Sequence, residues 1–551
     1  MNQAFDYIII GAGSAGGVLA ARLSEGGQHS VLLLEGGASH RTLMVDMPAG
    51  WGAMSYSPAY SWMHETEPEH WAGGRRMLMP RGKRVGGSSS TNGMIYIRGH
   101  RQDYADWVAA GATGWSWPEL LPHFVRTEDN QRIRNRLHGQ GGPLTVADLP
   151  SVHPVTHAML DAARQAGLPL VDDFNDGHAR GAGLYQVNVR DGKRSSIARN
   201  AIAPALQRPN LTLRAQTLVQ RIVMDGRRAV GVAVRLPDGS QQTLHAKVEV
   251  LLCAGSIQSP QLLMVSGLGP AAHLREQGIN VVADLPGVGE NLQDHACVPM
   301  SWRLRPGTPS LNPAFRGFGL VGSMLRYLLT RQGPMTSPPA EFGAYLQSDP
   351  ALPYHDIQVF GLPVTGDPST QKQPHKSMAP DGFAGMTLAP YQVRPFSRAS
   401  VRLKSADAAQ HPALRMNYLH DERDRRALLW ALRFLRQMAQ QPALAAIVEA
   451  EARPGPDVQT DDEWLHWLAP HLTTGYHPVG TCRMGRADDP LAVCTPDLRV
   501  RGVDGLRVID ASVMPNVICG NTNATAVVIG DKGADLVLGR PALAPLHDEH
   551  A

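Results

Sequence analysis

A glycine-rich turn near the start of the chain constrains its fold more than any other feature. An apolar run at residues 7–10 leads into the segment Gly11-Ala12-Gly13-Ser14-Ala15-Gly16. Residues 18–23 have helical character, and the apolar run Val31-Leu32-Leu33-Leu34 follows them. This order predicts a strand, a tight turn, a helix and a second strand. Such a unit is typical of an α/β fold with a parallel sheet.

Each glycine of this turn has its own physical role. Gly11 permits the turn, Gly13 lets backbone amides approach a pyrophosphate at the helix N-terminus, and Gly16 lets the helix lie close to the sheet. Glu35 follows Gly16 by 19 residues. That spacing is close to the ~20 residues expected of an acid that binds the ribose hydroxyls of an adenine dinucleotide. The unit therefore predicts a dinucleotide site, although the motif alone does not separate FAD from NAD.

Length and composition indicate a globular enzyme rather than a nucleic-acid-binding or membrane-spanning protein. With 551 residues, two closely associated domains around one cofactor are expected. A net charge of +3 gives no support for a nucleic-acid partner. The apolar runs are shorter than the ~20 residues that span a bilayer, and no basic segment precedes an apolar core at the N-terminus. We expect no integral membrane segment and a cytoplasmic location, with peripheral contact with the inner membrane left open.

The cysteines give no sign of a disulfide framework or a zinc site. None of them forms a CxxC pair, and their number is odd and small for the length. The preferred interpretation is buried free thiols, and no metal site is predicted. The five residues are Cys253, Cys297, Cys482, Cys494 and Cys519.

A second strand, turn and helix recur far along the chain. Residues 248–253 form an apolar run, Ala254-Gly255-Ser256 supplies a turn, and residues 259–264 have helical character. The sheet that begins at Asp6 is therefore expected to be completed only after residue 250, which makes the cofactor domain discontinuous. Residues 305–340 and 361–390, rich in Pro, Gly and Ser, are predicted to be long loops over a cavity.

Two segments near the C-terminus combine glycine with candidate catalytic side chains. The first is Gly475-Tyr476-His477-Pro478-Val479-Gly480, and the second runs from residue 505 to residue 525. In the second segment a strand at 506–509 precedes a helix predicted to begin near Thr525. The turn between them should aim a helix N-terminus at the site, where its dipole favours negative charge such as that on a reduced flavin.

The chain closely resembles the glucose-methanol-choline family of FAD-dependent oxidoreductases. The resemblance rests on four motifs in the family's order. These are the N-terminal dinucleotide motif, the loop Gly86-Gly87-Ser88-Ser89-Ser90 with Asn92, the segment Ala254-Gly255-Ser256-Ile257-Gln258-Ser259-Pro260 up to Ser266-Gly267-Leu268-Gly269, and the His477 and Asn521 segments.

This resemblance implies an α/β fold, α+β overall. A discontinuous Rossmann-like FAD-binding domain would be joined to a substrate-binding domain made of an antiparallel sheet and helices. The FAD-binding domain is expected to comprise residues 1–155 and 190–300, with a C-terminal return at 471–540 that carries the catalytic residues. The substrate-binding domain is expected to comprise residues 301–470 with parts of 156–189.

The resemblance also implies a set of residues that hold FAD. The nucleotide would lie along the first glycine turn, the isoalloxazine under the loop 85–94, the adenine beside Val219, and the ribityl chain beside Asp510-Ala511. A histidine stands at the position of Thr91 in family members with covalently attached flavin, so we expect noncovalent FAD here. The expected contacts are Gly11, Gly13, Ser14, Ala15, Gly16, Glu35, Val85, Gly86, Asn92, Gly93, Met94, Val219, Asp510, Ala511 and Asn523.

His477 matches the family's catalytic histidine, and Asn521 stands where members carry a second catalytic residue, His or Asn. Alcohol oxidation removes a hydroxyl proton and passes the α-hydride to flavin N5. An imidazole, with a reference pKa of ~6.5, can accept that proton near neutral pH. An amide cannot titrate in this range, but it can hold the substrate oxygen.

The leading hypothesis is FAD-dependent oxidation of a primary alcohol to an aldehyde. Whole-chain resemblance is nearest to choline dehydrogenase-like and aliphatic alcohol dehydrogenases. Glu341 could contact a cationic or polyol substrate, although a salt-bridged or solvated carboxylate explains it equally well. The alternatives are a hydroxynitrile lyase that retains FAD, an alcohol oxidase that uses dioxygen, and a noncatalytic flavin-binding protein. The alcohol, the electron acceptor (quinone, dye or dioxygen) and the oligomeric state stay open.

Overall fold

The first strand of the chain lies in the middle of a seven-stranded sheet. The protein is described by a computed structural model over residues 4–39, 42–367 and 379–547. Its α-helices are α1 (Ser14–Leu23), α2 (Leu43–Asp46), α3 (Trp51–Ser55), α4 (Arg101–Ala109), α5 (Trp117–Thr127), α6 (Pro154–Gln165), α7 (Ala203–Ala205), α8 (Gly255–Val265), α9 (Ala271–Glu276), α10 (Gly317–Thr330), α11 (Glu422–Ala439), α12 (Pro442–Ala445), α13 (Asp461–His471) and α14 (Asn523–Val537).

The strands fall into two large sheets and several short ribbons. In chain order they are β1 (Ala4–Ile10), β2 (Val31–Leu34), β3 (Ser61–Glu65), β4 (Leu78–Gly82), β5 (Glu128–Asn130), β6 (Leu144–Val146), β7 (Gly181–Leu184), β8 (Val189–Arg190), β9 (Lys193–Arg194), β10 (Leu211–Arg214), β11 (Leu218–Asp225), β12 (Arg228–Arg235), β13 (Gln241–Leu252), β14 (Leu268–Gly269), β15 (Ala283–Asp284), β16 (Ala296–Cys297), β17 (Met300–Leu304), β18 (Phe342–Leu346), β19 (Ile357–Leu362), β20 (Gly385–Gln392), β21 (Ser400–Arg402), β22 (Ala413–Arg415), β23 (Val448–Arg453), β24 (Thr473–Thr474) and β25 (Leu506–Val508).

The first sheet has the order β10-β2-β1-β13-β12-β11, with β25 beside β13. β1 runs parallel to both neighbours, and Ile8 pairs with Leu32 on one side and Val250 on the other. All three of these side chains are buried, as expected where a parallel sheet is covered on both faces. The prediction that the sheet begun at Asp6 is completed after residue 250 is confirmed, because β13 and β25 both belong to it.

The second sheet is antiparallel and has the order β23-β17-β20-β19-β18-β7. The short strand β16 pairs with β20 and also with β24. Every residue of β20 is buried, and α11 packs against this strand. The two sheets confirm the predicted mixed α/β class, with a Rossmann-like parallel sheet and a separate antiparallel sheet.

The helices α1 and α14 bring the two ends of the chain together beside the first sheet. A Cβ on Gly530 of α14 would lie 2.4 Å from the carbonyl oxygen of Ala15 in α1. Arg22 of α1 donates to Asp531 and Asp535 of α14 over 2.9 and 3.0 Å. The close packing and the ion pairs place the N-termini of both helices at the same end of the sheet.

The prediction that residues 305–340 form long loops is wrong, because α10 occupies residues 317–330. Gly317, Gly319 and Gly322 lower the helix propensity of this segment. Tertiary contacts override that cost, since Tyr327 is fully buried on the inner face of the helix. For residues 361–390, the segment 368–378 lies outside the described residues, and β20 begins at Gly385 where a loop was expected.

All five cysteines are buried and unpaired, which confirms the prediction of free thiols. Among the helices of the described residues, none combines the length and the apolar content that crossing a bilayer requires.

Candidate active site

A single cavity of about 900 Å³ runs from the first glycine turn to the C-terminal histidine segment. Gly11 and Glu35 line one end, while His477 and Asn521 line the other. The cavity therefore joins the predicted dinucleotide motif to the predicted catalytic residues.

Two glycines of the first turn, Gly11 and Gly16, are required by close backbone contacts. Gly11 has a φ of +103°, and a Cβ there would lie 2.4 Å from the carbonyl oxygen of Cys253. A Cβ on Gly16 would lie 2.0 Å from the carbonyl oxygen of Gly11. Gly87, with a φ of +50°, lies so close to Gly13 that its Cβ would stand 2.7 Å from the Gly13 Cα. The turn and the loop that contains Gly87 thus meet backbone to backbone, and residues of both line the cavity.

Glu35 stands at the end of β2 with its carboxylate facing the turn. Its Oε2 accepts from the backbone N–H of Ala12 over 3.1 Å, and its Oε1 accepts from that of Gly37 over 2.8 Å. Burial raises the pKa of Glu35 to about 7, while these two N–H groups act in the opposite direction. The backbone holds the carboxyl group in place, so that it can meet a hydroxyl-rich ligand without rearrangement.

The loop 85–94 approaches the first turn but only part of it lines the cavity. Gly86 donates its N–H to the Ala12 carbonyl over 2.7 Å, which fastens the loop to the turn. Asn92, Gly93 and Met94 line the cavity wall. Val85, Gly86 and Gly16 do not line the cavity and lie behind the residues that do.

Arg194, which the sequence analysis did not single out, fixes Asn92. Its side chain is 1% exposed. It donates through Nη1 to the carbonyl oxygen and to the Oδ1 of Asn92 over 2.6 and 2.9 Å. Burial lowers the pKa of Arg194 to about 9. A buried guanidinium with neutral partners places positive charge behind this part of the wall.

Asp510 and Asn523 hold the C-terminal turn against the rest of the site. Asp510 Oδ2 accepts from the N–H of Gly255 over 2.9 Å and from the Oγ of Ser259 over 2.6 Å. Asn523 Oδ1 accepts from the Oγ of Ser14 over 2.7 Å. Ser14, Ala15, Val219, Asp510, Ala511 and Asn523 all line the cavity.

The residues present fit the FAD that the resemblance implies. The N-termini of α1 and α14 both open onto the cavity, and helix N-termini favour phosphate and other negative charge. The hydroxyl of Ser256 is buried in the wall without a partner among the described residues. A buried hydroxyl of this kind needs a hydrogen bond that a polar ligand can supply.

His477 is positioned by the second sheet. β24 ends at Thr474, pairs with β16 immediately after His295, and so brings the two histidine segments side by side. Tyr476, between β24 and His477, adopts a left-handed φ of +64°, which is rare for a residue with a bulky side chain. The N–H of His477 donates to the Oδ1 of the buried Asp294 over 2.7 Å. This bond holds the strained turn and hence the position of the imidazole.

The two ring nitrogens of His477 have different partners. Nε2 lies 3.0 Å from Asn521 Nδ2. Asn521 Oδ1 accepts from Gln358 Nε2 over 3.3 Å, so the Asn521 amide N–H points at His477 and Nε2 is the acceptor. Nδ1 of His477 therefore carries the proton and donates to His295 Nδ1 over 3.0 Å. His477 lines the cavity, and in this tautomer its Nε2 is unprotonated.

Burial also keeps both imidazoles neutral. It lowers the pKa of His477 well below the usual range, and the nearby His295 and Arg81 act in the same direction. Burial lowers the pKa of His295 to about 3. A neutral imidazole is the form that accepts a proton, so the site is poised for base chemistry at neutral pH.

A hydrogen-bond relay extends from Asn521 into the second sheet. Gln358 of β19 donates to Tyr185 Oη over 3.1 Å as well as to Asn521. Tyr185 in turn donates to the carbonyl oxygen of Val359 over 3.0 Å. The relay fixes the orientation of the Asn521 amide through groups that are themselves held by the sheet.

Four residues that hold the predicted catalytic pair were not predicted: Asp294, His295, Gln358 and Tyr185. The only local signal was the polar run Gln293-Asp294-His295 immediately before an apolar strand. Three adjacent polar residues there are unusual, and all three prove to be buried. Gln358 had no signal, because its role depends on which strands pair.

Glu341 is not among the residues that line the cavity. Its carboxylate accepts from the N–H of His153 over 2.9 Å and from the Oγ1 of Thr156 over 2.6 Å. Burial raises the pKa of Glu341, while these two partners lower it. Of the alternatives left open for Glu341, the structure favours a structural carboxylate over a substrate contact, since its side chain caps the start of α6.

Comparison with known proteins agrees with this arrangement. Family models described as GMC oxidoreductase match residues 5–297 and residues 395–530. An oxygen-dependent choline dehydrogenase of Brucella suis biovar 1 is 39% identical over 547 residues, covering 99% of this chain and 97% of that protein. A namesake from Photobacterium profundum is 38% identical over 553 residues and covers 99% of this chain and 95% of that protein.

A solved structure of similar fold is pyridoxine 4-oxidase from Mesorbium loti. It superposes with a TM-score of 0.86 and 32% identity, covering 97% of this chain and 99% of that one. A variant of formate oxidase from Aspergillus oryzae RIB40 superposes with a TM-score of 0.90 and 26% identity, covering 98% and 99% of the two chains. The chain therefore belongs to the GMC oxidoreductase family of FAD-dependent enzymes that act on CH–OH donors.

Proposed function

We propose that this protein oxidises an uncharged primary alcohol to an aldehyde, with His477 as the base and Asn521 as the group that orients the substrate oxygen. The observation that carries the proposal is the pairing of His477 Nε2 with Asn521 Nδ2 at 3.0 Å on the wall of the cavity. The other end of the same cavity carries the turn expected to hold the nucleotide. The proposed base, the orienting amide and the cofactor site thus share one cavity.

The roles of the two residues follow from their hydrogen bonds. A substrate hydroxyl between them would receive the Asn521 N–H and donate its proton to Nε2 of His477. The proton would stay on Nε2 while Nδ1–H keeps its bond to His295. The Asn521 amide would hold the oxygen so that the carbon bearing the hydride faces the cofactor. Bound FAD supplies the hydride acceptor.

Charge in the reacting end of the cavity favours an uncharged substrate. Among the described residues, the carboxylates that line the cavity are Glu35 and Asp510, and both are engaged by backbone N–H groups. Residues 368–378, which are not described, contain no Asp or Glu. Arg81, in contrast, lines the cavity and donates to the carbonyl oxygen of Tyr476, next to His477, over 2.9 Å. A cationic alcohol would therefore meet like charge on the cavity wall, because Asp294, whose carboxylate is the nearest to Arg81 and His477, is not among the described residues that line the cavity.

The attachment of FAD is proposed to be noncovalent. Thr91 lines the cavity at the position where the family's covalent members carry a histidine. A threonine hydroxyl cannot form that link. Denaturation should therefore release the flavin into the supernatant.

We also propose that one sheet carries the cofactor site and the other carries the substrate side of the cavity. Residues 1–155, 190–300 and 471–540, built around the sheet containing β1, would carry the cofactor site, although β16 and β24 within these bounds pair with the sheet containing β20. The sheet containing β20 carries the substrate side with residues 301–470 and parts of 156–189. This division is supported by the position of His477, which follows β24 of the second sheet and faces the cavity that the first sheet opens onto.

The test is anaerobic mixing of the purified holoenzyme with uncharged primary alcohols, followed by loss of the oxidised flavin absorbance. The parent protein should be reduced by at least one such alcohol, with the aldehyde as product. His477→Ala should keep its FAD and lose ~10²-fold or more of the reduction rate. His466→Ala, a change at an exposed residue of α13, is the matched control and should behave as the parent. Reduction of His477→Ala at the parental rate would contradict the assignment of the base.

A further inference from the structure

One helix of the protein presents apolar side chains to solvent along most of its length. Phe318 and Leu329 of α10 are 97% and 84% exposed. Val321, Leu325 and Leu328 are about half exposed, at 56%, 55% and 45%. We call the face formed by these five residues the α10 apolar face. Single exposed apolar residues are normal, but a contiguous group marks an interaction site.

The face is held rigidly on the protein by the opposite side of the same helix. Ser323 and Tyr327 are buried on that side. Leu320 and Met324, one turn apart, line the cavity. The α10 apolar face therefore projects outward from the wall of the substrate cavity, and it is continuous with that wall through a single helix.

The charged residues that α10 and its flanking segments supply are all positive. Between Arg305 and Ala340 the sequence contains four arginines and no Asp or Glu. Arg316 precedes α10, Arg326 lies within it, and Arg331 follows it. Among the described residues none of these three forms an ion pair with a carboxylate. A short apolar helix face bordered by arginines is the pattern of helices that lie in the interface of an anionic bilayer.

We propose that the α10 apolar face docks the protein onto the surface of an anionic phospholipid bilayer, with the helix lying in the plane of the interface. Phe318 and Leu329 would enter the acyl boundary while the exposed Arg316 and Arg326 contact lipid phosphates. Arg331 is turned inward, with its guanidinium 4.8 Å over the ring of the buried Tyr327. A second copy of this chain is a poorer occupant, because a two-fold interface on this face would bring the same arginines together. The helix has 14 residues, so it lies on the membrane rather than crossing it.

Docking in this way has a consequence for access to the cavity. Because Leu320 and Met324 line the cavity from the inner side of the same helix, the bilayer surface would lie next to this wall. Alcohols dissolved in the membrane would then be close to the site. This proposal concerns binding to lipid and does not depend on the chemistry assigned to His477.

The experiment is co-sedimentation of the FAD-loaded full-length protein with vesicles of phosphatidylglycerol and phosphatidylcholine, and with vesicles of phosphatidylcholine alone. The parent should bind the anionic vesicles, and raising the salt to about 0.5 M should weaken that binding. The double variant Phe318→Gln/Leu329→Gln should bind at least ~10-fold more weakly, since both side chains lose their apolar contact with lipid. Leu491→Gln, at an exposed leucine outside α10, is the matched control and should bind as the parent.

A charge variant separates the two contributions. Arg316→Gln/Arg326→Gln should lose the preference for anionic over neutral vesicles while keeping the apolar face. Turnover of a water-soluble alcohol without vesicles should be unchanged in both double variants, because none of the four residues lines the cavity, and this shows that they are folded. Failure of the parent to bind anionic vesicles would overturn the proposal. So would a dimer that dissociates in Phe318→Gln/Leu329→Gln without any vesicle binding, which would assign the face to self-association.

Discussion

The Nδ1 atoms of His477 and His295 lie 3.0 Å apart, and His295 is fully buried. Two unprotonated nitrogens cannot share a hydrogen bond, so one of them carries the proton. Because Asn521 donates to Nε2 of His477, the proton belongs on Nδ1 of His477 and His295 is its acceptor. His295 thus sets the tautomer in which His477 can act as a base. It is a positioning residue and does not touch the substrate cavity.

Replacing His295 should therefore impair turnover most when the new side chain cannot accept the hydrogen bond from Nδ1 of His477. His295→Leu removes the acceptor, and we expect kcat to fall ~10-fold or more while FAD stays bound. His295→Asn places an amide oxygen where Nδ1 stood, so it should recover most of the lost rate. Steady-state kinetics of both variants, with flavin content measured in parallel, provide the check. Equal losses in the two variants would mean that His295 acts only through packing.

Glu35 should govern the affinity for FAD rather than the chemical step. Its carboxylate lines the cavity at the end remote from His477 and is held by the N–H groups of Ala12 and Gly37. Glu35→Ala should raise the Kd for FAD ~10-fold or more, since a charge-assisted hydrogen bond to a ribose hydroxyl is lost. Glu35→Gln, which keeps an oxygen acceptor, should lose less.

Titration of the apoprotein with FAD, followed by flavin fluorescence, measures this effect. Glu25→Ala lies in the same N-terminal unit, just after α1 and outside the cavity, and should leave the Kd unchanged. If Glu35→Ala bound FAD as tightly as the parent, Glu35 would not govern the affinity for FAD. The rate of flavin reduction in fully loaded Glu35→Gln should match the parent.

Local sequence predicted the cofactor end of the site better than the catalytic end. Gly11, Gly13 and Glu35 act within one continuous unit, and their spacing alone describes the turn. His477 and Asn521 could be found by resemblance because each lies in its own motif. His295 could not, since its contact with His477 joins positions 182 residues apart through the pairing of β16 with β24.

The helix α10 was missed for a different physical reason. Its three glycines and the absence of a side-chain cap argue against a helix when only local propensity is considered. Burial of Tyr327 and packing of Met324 against the cluster of Met47, Tyr327 and Met335 stabilise the helix through tertiary contacts. Local helix propensity does not predict segments whose structure depends on such contacts.

The electrostatics of the cavity lead to a prediction about substrate charge. We expect choline to be a poor substrate compared with 3,3-dimethylbutan-1-ol, which has nearly the same shape and no charge. The guanidinium of Arg81, beside the His477 segment, should disfavour the trimethylammonium group. The ratio of kcat/KM for the two alcohols should favour the uncharged one ~10-fold or more, since each factor of ten corresponds to ~1.4 kcal/mol. Equal or better turnover of choline would contradict this reading of the cavity.

His64 should make the protein sensitive to acid although it lies outside the cavity. It belongs to β3, is 1% exposed, and neither ring nitrogen has a hydrogen-bond partner among the described residues. Burial lowers the pKa of His64 well below its usual range, with His411 and Arg81 adding to the effect. In the unfolded chain the same side chain takes up a proton below about pH 6.5. The unfolded state therefore binds more protons on acidification, and the free energy of unfolding falls as the pH falls.

His64→Leu should abolish this proton uptake by the unfolded chain, so the free energy of unfolding should depend less on pH. Between about pH 7.5 and about pH 5, the parent should lose up to about 2 kcal/mol of unfolding free energy more than His64→Leu. Thermal unfolding at several pH values in this range, with FAD present throughout, gives the two profiles. His466→Leu changes an exposed histidine and should follow the parent, because an exposed imidazole titrates similarly in both states. Parallel profiles for His64→Leu and the parent would mean that His64 becomes charged inside the folded protein, and the buried-neutral assignment would then be wrong.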